Sequence, residues 1–289
     1  MAGYPMTVTH PETRPHLWAV PGAEPARPTR PVATEERGAE VLPFPGGRTG
    51  AVPAAGFGGG EMELGLLGGF RLVVGGELVP VGPSGERVLA VIACRGRQIS
   101  RAKLAQVLWP DTSSERAHAN LRTAVYRLVR RAPGVVHVTG GHIQLSSSVR
   151  VDLDGAARLA QRLLAGPVGH DDDGSDTGVD FYEDLLPDWD EEWLADHQRR
   201  YRQLRLTALE ALAARLGSAG RHGAAVQAAL AAVQADGLRD SAHETLIRAH
   251  LAQGNRHEAY LHFTAYRRIL RDELGLEPPA AIRQLLSTA

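Results

Sequence analysis

The chain has 289 residues, of which 43% are hydrophobic and 22% are charged, so it is long enough for about two domains with buried cores. It contains no apolar run near the roughly 18 residues that a membrane span needs, and its N-terminus lacks the features of a signal peptide. Because Cys94 is the single cysteine, the chain cannot form an internal disulfide. We expect Cys94 to lie in the core and the protein to lie in the reducing cytoplasm.

Charge is distributed unevenly along the chain. Residues 1–61 contain 5 basic and 6 acidic residues, a net charge of −1. Residues 62–151 contain 12 and 5, a net charge of +7, and residues 152–289 contain 15 and 22, a net charge of −7. A basic segment joined to an acidic one indicates that the basic half faces a polyanion and the acidic half a different partner.

The first segment, residues 1–61, contains 10 of the 18 prolines and glycine-rich runs such as PGGRTG and GFGGGE. It shows no apolar periodicity, which predicts a disordered arm. The run GFGGGE follows no predicted strand and lacks the GK[ST] ending of a phosphate-binding loop, so we interpret it as part of a linker.

A folded pattern begins at Leu64. The runs LGLLGGFRLVV and GGELVPV predict two short strands around a turn at Gly75 and Gly76. A buried helix is then expected, with Ser84 as its N-cap and Gly96 at its end.

The next elements complete the first domain. Ser100 is the expected N-cap of a second helix that ends before Pro110, and a loop, PDTSS, leads to an arginine-rich helix over residues 116–131. Residues 135–151 predict a hairpin around the glycines at 140 and 141. This order of strands, helices and hairpin is typical of a winged helix-turn-helix domain.

The helix over residues 116–131 separates apolar from cationic residues. At about 100° per residue, Leu121, Val125 and Leu128 line one side and predict a core stripe. The other side combines guanidinium groups with short polar side chains, which suits the DNA major groove: arginine pairs with guanine, asparagine with adenine, and threonine contacts a thymine methyl or a phosphate. The candidates for base reading are Arg116, Asn120, Thr123 and Arg127.

Other side chains are candidates for DNA phosphate contacts, which position a protein without reading sequence. They are Arg101, Lys103, Tyr126, Arg130, Arg131, Thr139 and His142. A solvated arginine face is the alternative. We favour DNA because Glu115 is the only acidic residue between positions 112 and 151, and because a hairpin able to act as a wing follows the helix.

The third segment, residues 152–289, shows a 34-residue period. Gly220 and Gly254 are separated by this period, and so are Ala225 and Ala259. A glycine at a helix–helix turn followed by a small residue five positions later is typical of tetratricopeptide repeats. Since only two to three repeats are visible, we expect a long preceding helix to cap the array.

Two features of this segment allow more than one interpretation. Trp189 and Trp193 anchor the long helix, from about Asp190 to Leu216, to the core or form a hot spot for a partner. The acidic loop over residues 166–180 contains HDDDGSDTGVD, but it lacks the ligand spacing of an EF-hand. We therefore expect a solvated loop there and no cation site.

The segment from Leu64 to Val151 resembles the OmpR-like winged helix of the Streptomyces antibiotic regulatory protein (SARP) family, through LLGGFRLVVGG, ISRAKLAQVLWPD and ANLRTAVYRLVRR. Residues 152–289 resemble the bacterial transcriptional activator domain of that family, through AHETLIRAHLAQGNRHEAYLHFTAYRRILRDELGLEPP. The expected fold is therefore mixed: an α+β winged helix followed by an all-α, tetratricopeptide-like domain.

The resemblance implies a cytoplasmic, nucleoid-associated transcriptional activator of a secondary-metabolite gene cluster. It implies a homodimer on direct repeats of double-stranded promoter DNA, with no membrane partner. It also implies that a loop approaches RNA polymerase holoenzyme. The loop residues are Pro110, Asp111, Thr112, Ser113 and Ser114. The chain resembles the small members of the family, which carry no ATPase module, and we expect no phosphorylated receiver domain.

Two other functions remain open. In the first alternative, the chain is a tetratricopeptide adaptor whose winged helix contacts protein. In the second, it is a ligand sensor that holds a metabolite near Tyr182, Trp189 and Trp193. The sequence contains no nucleophile elbow, Walker loop or paired His/Cys spacing. We therefore expect no enzymatic activity, no cofactor and no metal.

Overall fold

The computed structural model describes residues 61–165 and 182–287. These residues are mostly helical, with two small sheets in the N-terminal part. The expected disordered arm, except for Glu61, and the expected acidic loop lie outside the described residues. Within the described ranges, none of the helices combines the length and the hydropathy that crossing a bilayer requires.

Residues 61–151 form seven strands and three helices. In chain order they are β1 Met62–Gly65, β2 Arg71–Val74, β3 Glu77–Leu78, α1 Pro83–Cys94, β4 Gln98–Ser100, α2 Arg101–Leu108, α3 Ser114–Arg131, β5 Val136–Thr139, β6 His142–Leu145 and β7 Val149–Val151. One sheet has the order β3-β2-β1-β7, and the other has the order β4-β6-β5. This arrangement is consistent with an OmpR-like winged helix-turn-helix.

The remaining described residues are helical. The helices are α4 Asp152–Leu164, α5 Glu192–Ser218, α6 His222–Ala235, α7 Asp240–Ala252, α8 Arg256–Leu274 and α9 Ala280–Ser287. Gly220 and Gly254 have φ angles of 72° and 83° just after α5 and α7, so both helices end on a left-handed residue. Ala225 and Ala259 are buried near the starts of α6 and α8, which explains the 34-residue period of the sequence.

The predictions for the N-terminal strands need correction. The turn at Gly75 and Gly76 is confirmed, but it joins β2 to β3, because LGLLGGFRLVV contains two strands. Gly68 and Gly69, with φ angles of 73° and 143°, break that run. The N-cap of α1 is Gly82 and not Ser84, since proline with its fixed φ occupies the first helical position.

The helix-turn-helix and the hairpin also differ in detail from the prediction. The N-cap role of Ser100 is confirmed, because its Oγ accepts a hydrogen bond from the Lys103 N–H at 3.3 Å. β4 was not predicted; its three residues pair with β6. The predicted hairpin over residues 135–151 is too long, because β7 leaves it and pairs in parallel with β1.

Asp152 joins the two parts of the chain. Its carboxylate accepts hydrogen bonds from the N–H groups of Leu66 at 2.9 Å, Leu67 at 3.0 Å and Leu153 at 2.7 Å. The first two donors follow β1, and the third lies in the first turn of α4. Burial raises the pKa of Asp152, while these N–H groups and the Arg71 guanidinium oppose that rise. The carboxylate therefore satisfies backbone donors from both parts.

The chain segment before α5 returns to the first sheet. The N–H of Gly68 donates to the carbonyl of Asp184 at 2.8 Å, and the N–H of Leu186 donates to the carbonyl of Leu66 at 2.9 Å. Arg87 on α1 forms an ion pair of 2.5 Å with Glu191. These bonds fix the position of α5 against the winged helix.

Aromatic rings fill the same junction. Trp189 stacks on Phe70 with ring centroids 6.2 Å apart, and Trp193 Nε1 donates to Glu191 at 2.6 Å. The predicted anchoring role of both tryptophans therefore agrees with the structure. Cys94 packs against the same core, and burial raises the pKa of its thiol to about 12.

The buried His243 and the half-buried His262 connect α7 and α8. His243 Nε2 lies 3.0 Å from the Gly237 carbonyl, which makes this nitrogen the donor and leaves Nδ1 to accept from His262 Nε2 at 2.9 Å. The His243 ring also stacks on Tyr266, with centroids 3.7 Å apart. Burial and the neighbouring His243 lower the pKa of His262 to about 4, so the pair is neutral at physiological pH.

Replacing Asp152 with alanine should lower the free energy of unfolding by about 2–4 kcal/mol, because the N–H groups of Leu66 and Leu67 lose their acceptor. Urea denaturation followed by circular dichroism measures the change. Asp188→Ala, at an exposed position, is the control. Equal stability of D152A and D188A would show that the carboxylate does not hold the junction.

The histidine pair should make stability depend on pH. The unfolded chain binds protons at these positions below about pH 6.5, whereas folded His262 binds one only near pH 4. The free energy of unfolding should therefore fall as the pH drops from 6.5 to 4. His262→Gln should reduce that fall by roughly 1–3 kcal/mol, measured by urea denaturation at several pH values.

His257→Gln removes an exposed histidine from the same helix and serves as the matched control. A pH profile of H262Q identical to that of the unaltered chain would rule out this contribution.

Candidate nucleic-acid interface

Side chains at both ends of α3 stabilise the helix. Ser113 caps its start, because Ser113 Oγ accepts a hydrogen bond from the Arg116 N–H at 3.4 Å. Glu115 lies in the first turn, and Arg130 and Arg131 lie in the last turn. An acid near the N-terminus and cations near the C-terminus both interact favourably with the helix dipole.

One face of α3 packs into the core against α1 and α2. The buried residues on this face are Ala117, Leu121, Ala124 and Leu128, which confirms most of the predicted stripe. Val125, predicted to line the core, is only half-buried at its edge. The polar face of the helix is therefore held toward solvent by apolar burial behind it.

The base-reading candidates lie on that outward side. Arg116, Thr123 and Arg127 are exposed, and Asn120 is half-buried. Thr123 Oγ1 donates a hydrogen bond to the Ala119 carbonyl at 3.1 Å, so its hydroxyl is satisfied within the helix.

Tyr126 and Arg130 form a pair on the same helix. The guanidinium carbon of Arg130 lies 5.7 Å from the centroid of the Tyr126 ring, and Nη1 lies 3.4 Å from the Tyr126 hydroxyl. The tyrosine is 62% exposed, and Arg131 beside it is exposed as well. The stacked ring restricts the positions that the Arg130 cation can take.

The other phosphate candidates come together where α2 meets the hairpin of β5 and β6. The backbone N–H of Arg101 donates to the carbonyl of Gly141 at 2.9 Å. Thr139 and His142 face each other as cross-strand partners beside that turn. Lys103 lies two residues after Arg101 on α2 and is exposed. The fold therefore brings four groups from two distant sequence segments to one edge.

The loop between α2 and α3 borders a cavity of about 530 Å³. Pro110, Asp111, Ser113 and Ser114 are exposed, whereas Thr112 is half-buried and its Oγ1 donates to the Trp109 carbonyl at 3.2 Å. The loop is thus anchored at its centre, and its other residues remain accessible.

The sequence reasoning missed two exposed residues of this surface. Arg122 lies on the outer half of α3, and Val138 on the hairpin is 47% exposed. Period-two alternation places Val138 on the same face as the buried Val136, but Val138 lies on the edge strand β5, whereas its cross-strand partner Ile143 on the central strand β6 is buried. The signal in the sequence for this exposure was the position of Val138 near the turn of the hairpin.

No group of three or more His, Cys, Asp or Glu side chains suited to a metal ion occurs among the described residues.

Comparison with known proteins identifies the C-terminal part. The model of the bacterial transcriptional activator domain family matches residues 152–288. The regulatory protein AfsR of Streptomyces coelicolor is 30% identical over 245 residues, which are 78% of this chain and 24% of AfsR. AfsR of Streptomyces griseus is 28% identical over 251 residues, which are 82% of this chain and 25% of that protein. Residues 152–288 therefore belong to the bacterial transcriptional activator domain family, and the chain is similar to the AfsR regulatory proteins over most of its length.

The chain spans about a quarter of the length of the curated relatives that it matches. Its fold is also similar to a solved structure of Mycobacterium tuberculosis EmbR in complex with a low-affinity phosphopeptide. The TM-score is 0.57 and the identity 19%, over 79% of this chain and 64% of that chain. At 19% identity this similarity shows a shared fold alone.

Proposed function

We propose that this chain is a sequence-specific, DNA-binding transcriptional activator of the SARP family. Residues 62–151 act as the DNA-binding winged helix, and residues 152–289 act as the activator domain. The observation that carries the proposal is α3, which buries an apolar stripe and exposes arginines within a segment of net charge +7. DNA, with one negative charge per about 1.7 Å of helix axis, is the partner that such a face fits best.

In the proposed complex α3 enters the major groove. Arg116 and Arg127 pair with guanine, and Asn120 pairs with adenine. Because the Thr123 hydroxyl already donates to the Ala119 carbonyl, Thr123 offers its methyl group to a thymine methyl at no cost in hydrogen bonds. The four side chains would read bases along one side of a single helix.

Phosphate contacts flank this helix. Arg101 and Lys103 contact the backbone from the start of α2, and Thr139 and His142 contact it from the hairpin, which serves as the wing. The hydrogen bond from Arg101 to Gly141 supports this arrangement because it ties α2 to the wing. Arg130, stacked on Tyr126, and Arg131 contact the backbone at the far end of α3.

The further steps follow from the proposed membership of the SARP family. We propose that two copies bind direct repeats near promoters of a secondary-metabolite gene cluster. The accessible loop of residues 110–114 then approaches RNA polymerase holoenzyme, and its anchored centre at Thr112 supports a defined contact surface.

Replacing Arg116 or Arg127 with alanine should each weaken binding to the preferred site by about 1–3 kcal/mol, because a bidentate contact to guanine is lost. The site is first selected from random double-stranded DNA, and affinity is then measured by fluorescence anisotropy against a scrambled duplex. Arg268→Ala, on α8, removes one exposed cation far from the proposed interface and is the control.

Arg130→Ala should lower affinity for both duplexes alike and reduce the log–log salt slope by about 1. If selection returns no preferred sequence, the base-reading assignment fails and the adaptor function gains support.

Replacing Asp111 with alanine should leave DNA affinity unchanged and reduce transcription, because this exposed loop residue lies outside the proposed DNA surface. Transcription reconstituted with RNA polymerase holoenzyme on the selected site measures the effect. Asp188→Ala removes an exposed acid elsewhere. Equal transcription with both variants would contradict a role of Asp111 in the polymerase contact.

A further inference from the structure

The cavity between α2 and α3 opens beside the face of α3 that points away from the proposed base-reading residues. Its volume of about 530 Å³ is within the range of small-molecule sites. His118 forms part of the α3 wall, and at about 100° per residue it stands about 180° around the helix from Arg127. The cavity therefore remains accessible when the opposite face of α3 is engaged.

Small residues keep the space between the two helices open. Ala102 and Ala105 line the cavity from α2 and share one face of that helix, because they are three residues apart. Ala105 and Ala117 are buried, and they give the cavity an apolar floor. The half-buried Trp109, which follows α2, adds an aromatic ring at the end of the same row.

The lining of the cavity contains one lysine, no arginine and no carboxylate. Lys103 is exposed, and its Nζ lies 3.5 Å from Gln106 Oε1, at the limit of a hydrogen bond. No carboxylate of residues 61–165 or 182–287 pairs with this ammonium group. The indole N–H of Trp109 likewise has no hydrogen-bond acceptor in the part of the chain that the structure describes. Two donors at the cavity thus lack a strong acceptor.

Hydrogen bonds within the walls hold the cavity in shape. His118 Nδ1 donates to the Ser114 carbonyl at 2.7 Å, which fixes the imidazole ring on α3. The Thr112 hydroxyl donates to the Trp109 carbonyl at 3.2 Å and fixes the loop that closes the cavity. A ligand would therefore meet walls that are already ordered, which lowers the entropic cost of binding.

We propose that this cavity binds a small aromatic carboxylic acid. Lys103 and Trp109 are six residues apart, about 9 Å along the helix axis, which matches the length of a short aryl acid. The carboxylate pairs with the Lys103 ammonium group, and the aromatic ring packs against the Trp109 indole. One cation in the lining matches one negative charge, which favours a monocarboxylate over a phosphate dianion.

The bound acid would contact α2, the loop after it and the first turns of α3 together, because residues of all three line the cavity. This role goes beyond DNA binding, since it gives the helix-turn-helix a small-molecule ligand of its own. The sequence suggested a ligand near Tyr182, Trp189 and Trp193, and none of these three residues lines this cavity.

Isothermal titration of the full chain without DNA tests the proposal at constant ionic strength. The probes are 3-phenylpropionate and indole-3-acetate, with 3-phenylpropionamide and acetate as controls that lack the charge or the ring. We expect saturable binding of at least one aryl acid with a Kd below about 1 mM, and binding of both controls at least about tenfold weaker. Because no DNA is present, the outcome is independent of the proposed DNA-binding function.

Two variants locate the ligand. Lys103→Gln should weaken binding of the aryl acid at least about tenfold, because the carboxylate loses its ion pair. Arg256→Gln, which removes an exposed cation on α8, is its control and should leave the affinity unchanged.

Ala102→Leu should weaken binding to a similar extent, because the larger side chain occupies the cavity without changing any charge. Ala265→Leu makes the same change at an exposed position of α8 and is the matched control. Circular dichroism checks that each variant is folded, and Lys103→Gln decides if Ala102→Leu is not.

Three results would each overturn the proposal. They are the absence of saturable binding of both aryl acids, equal affinity for 3-phenylpropionate and its amide, and unchanged affinity in folded Lys103→Gln or Ala102→Leu.

Discussion

The carboxylate of Asp152 is the interaction on which the arrangement of the two parts depends. It is the first residue of α4, and it accepts hydrogen bonds from the N–H groups that follow β1. Those donors lie where the chain turns away from the sheet, so no strand can satisfy them. A charged acceptor in this place stabilises the turn, the start of α4 and the packing of the sheet against the helices together.

The same junction is reinforced by contacts that differ in kind. The ion pair between Arg87 and Glu191 is partly shielded from solvent, and the stacked rings of Phe70 and Trp189 add apolar burial beside it. Backbone bonds from residues 184–186 to the end of β1 close the remaining gap. Burial, charge and backbone pairing thus act on one surface, which is why the core is continuous from β1 to α7.

Sequence periodicity predicted the helices well because each of them buries one face. The stripe of α3 and the 34-residue period of the C-terminal helices both depend on local spacing, which is visible in the chain. The strands were harder to predict. β4 has three residues and β7 leaves the hairpin to pair with β1, and such pairings between distant segments leave no periodic signal.

The residues of the candidate interface also divide into those whose position local spacing predicts and those whose position depends on pairing between distant segments. The outward position of Arg116, Thr123 and Arg127 follows from helical spacing alone. The approach of Arg101 to the turn of the hairpin does not, because it depends on the pairing of β4 with β6.

β7 ends at Val151 and α4 begins at the next residue, so no linker separates the first sheet from α4. In the proposed complex, a force that DNA exerts on the first sheet would pass through β7 into α4 and from there into α5, which packs against α4. The local shape of a promoter would then set the direction in which the helical array points, and with it the geometry of any larger assembly.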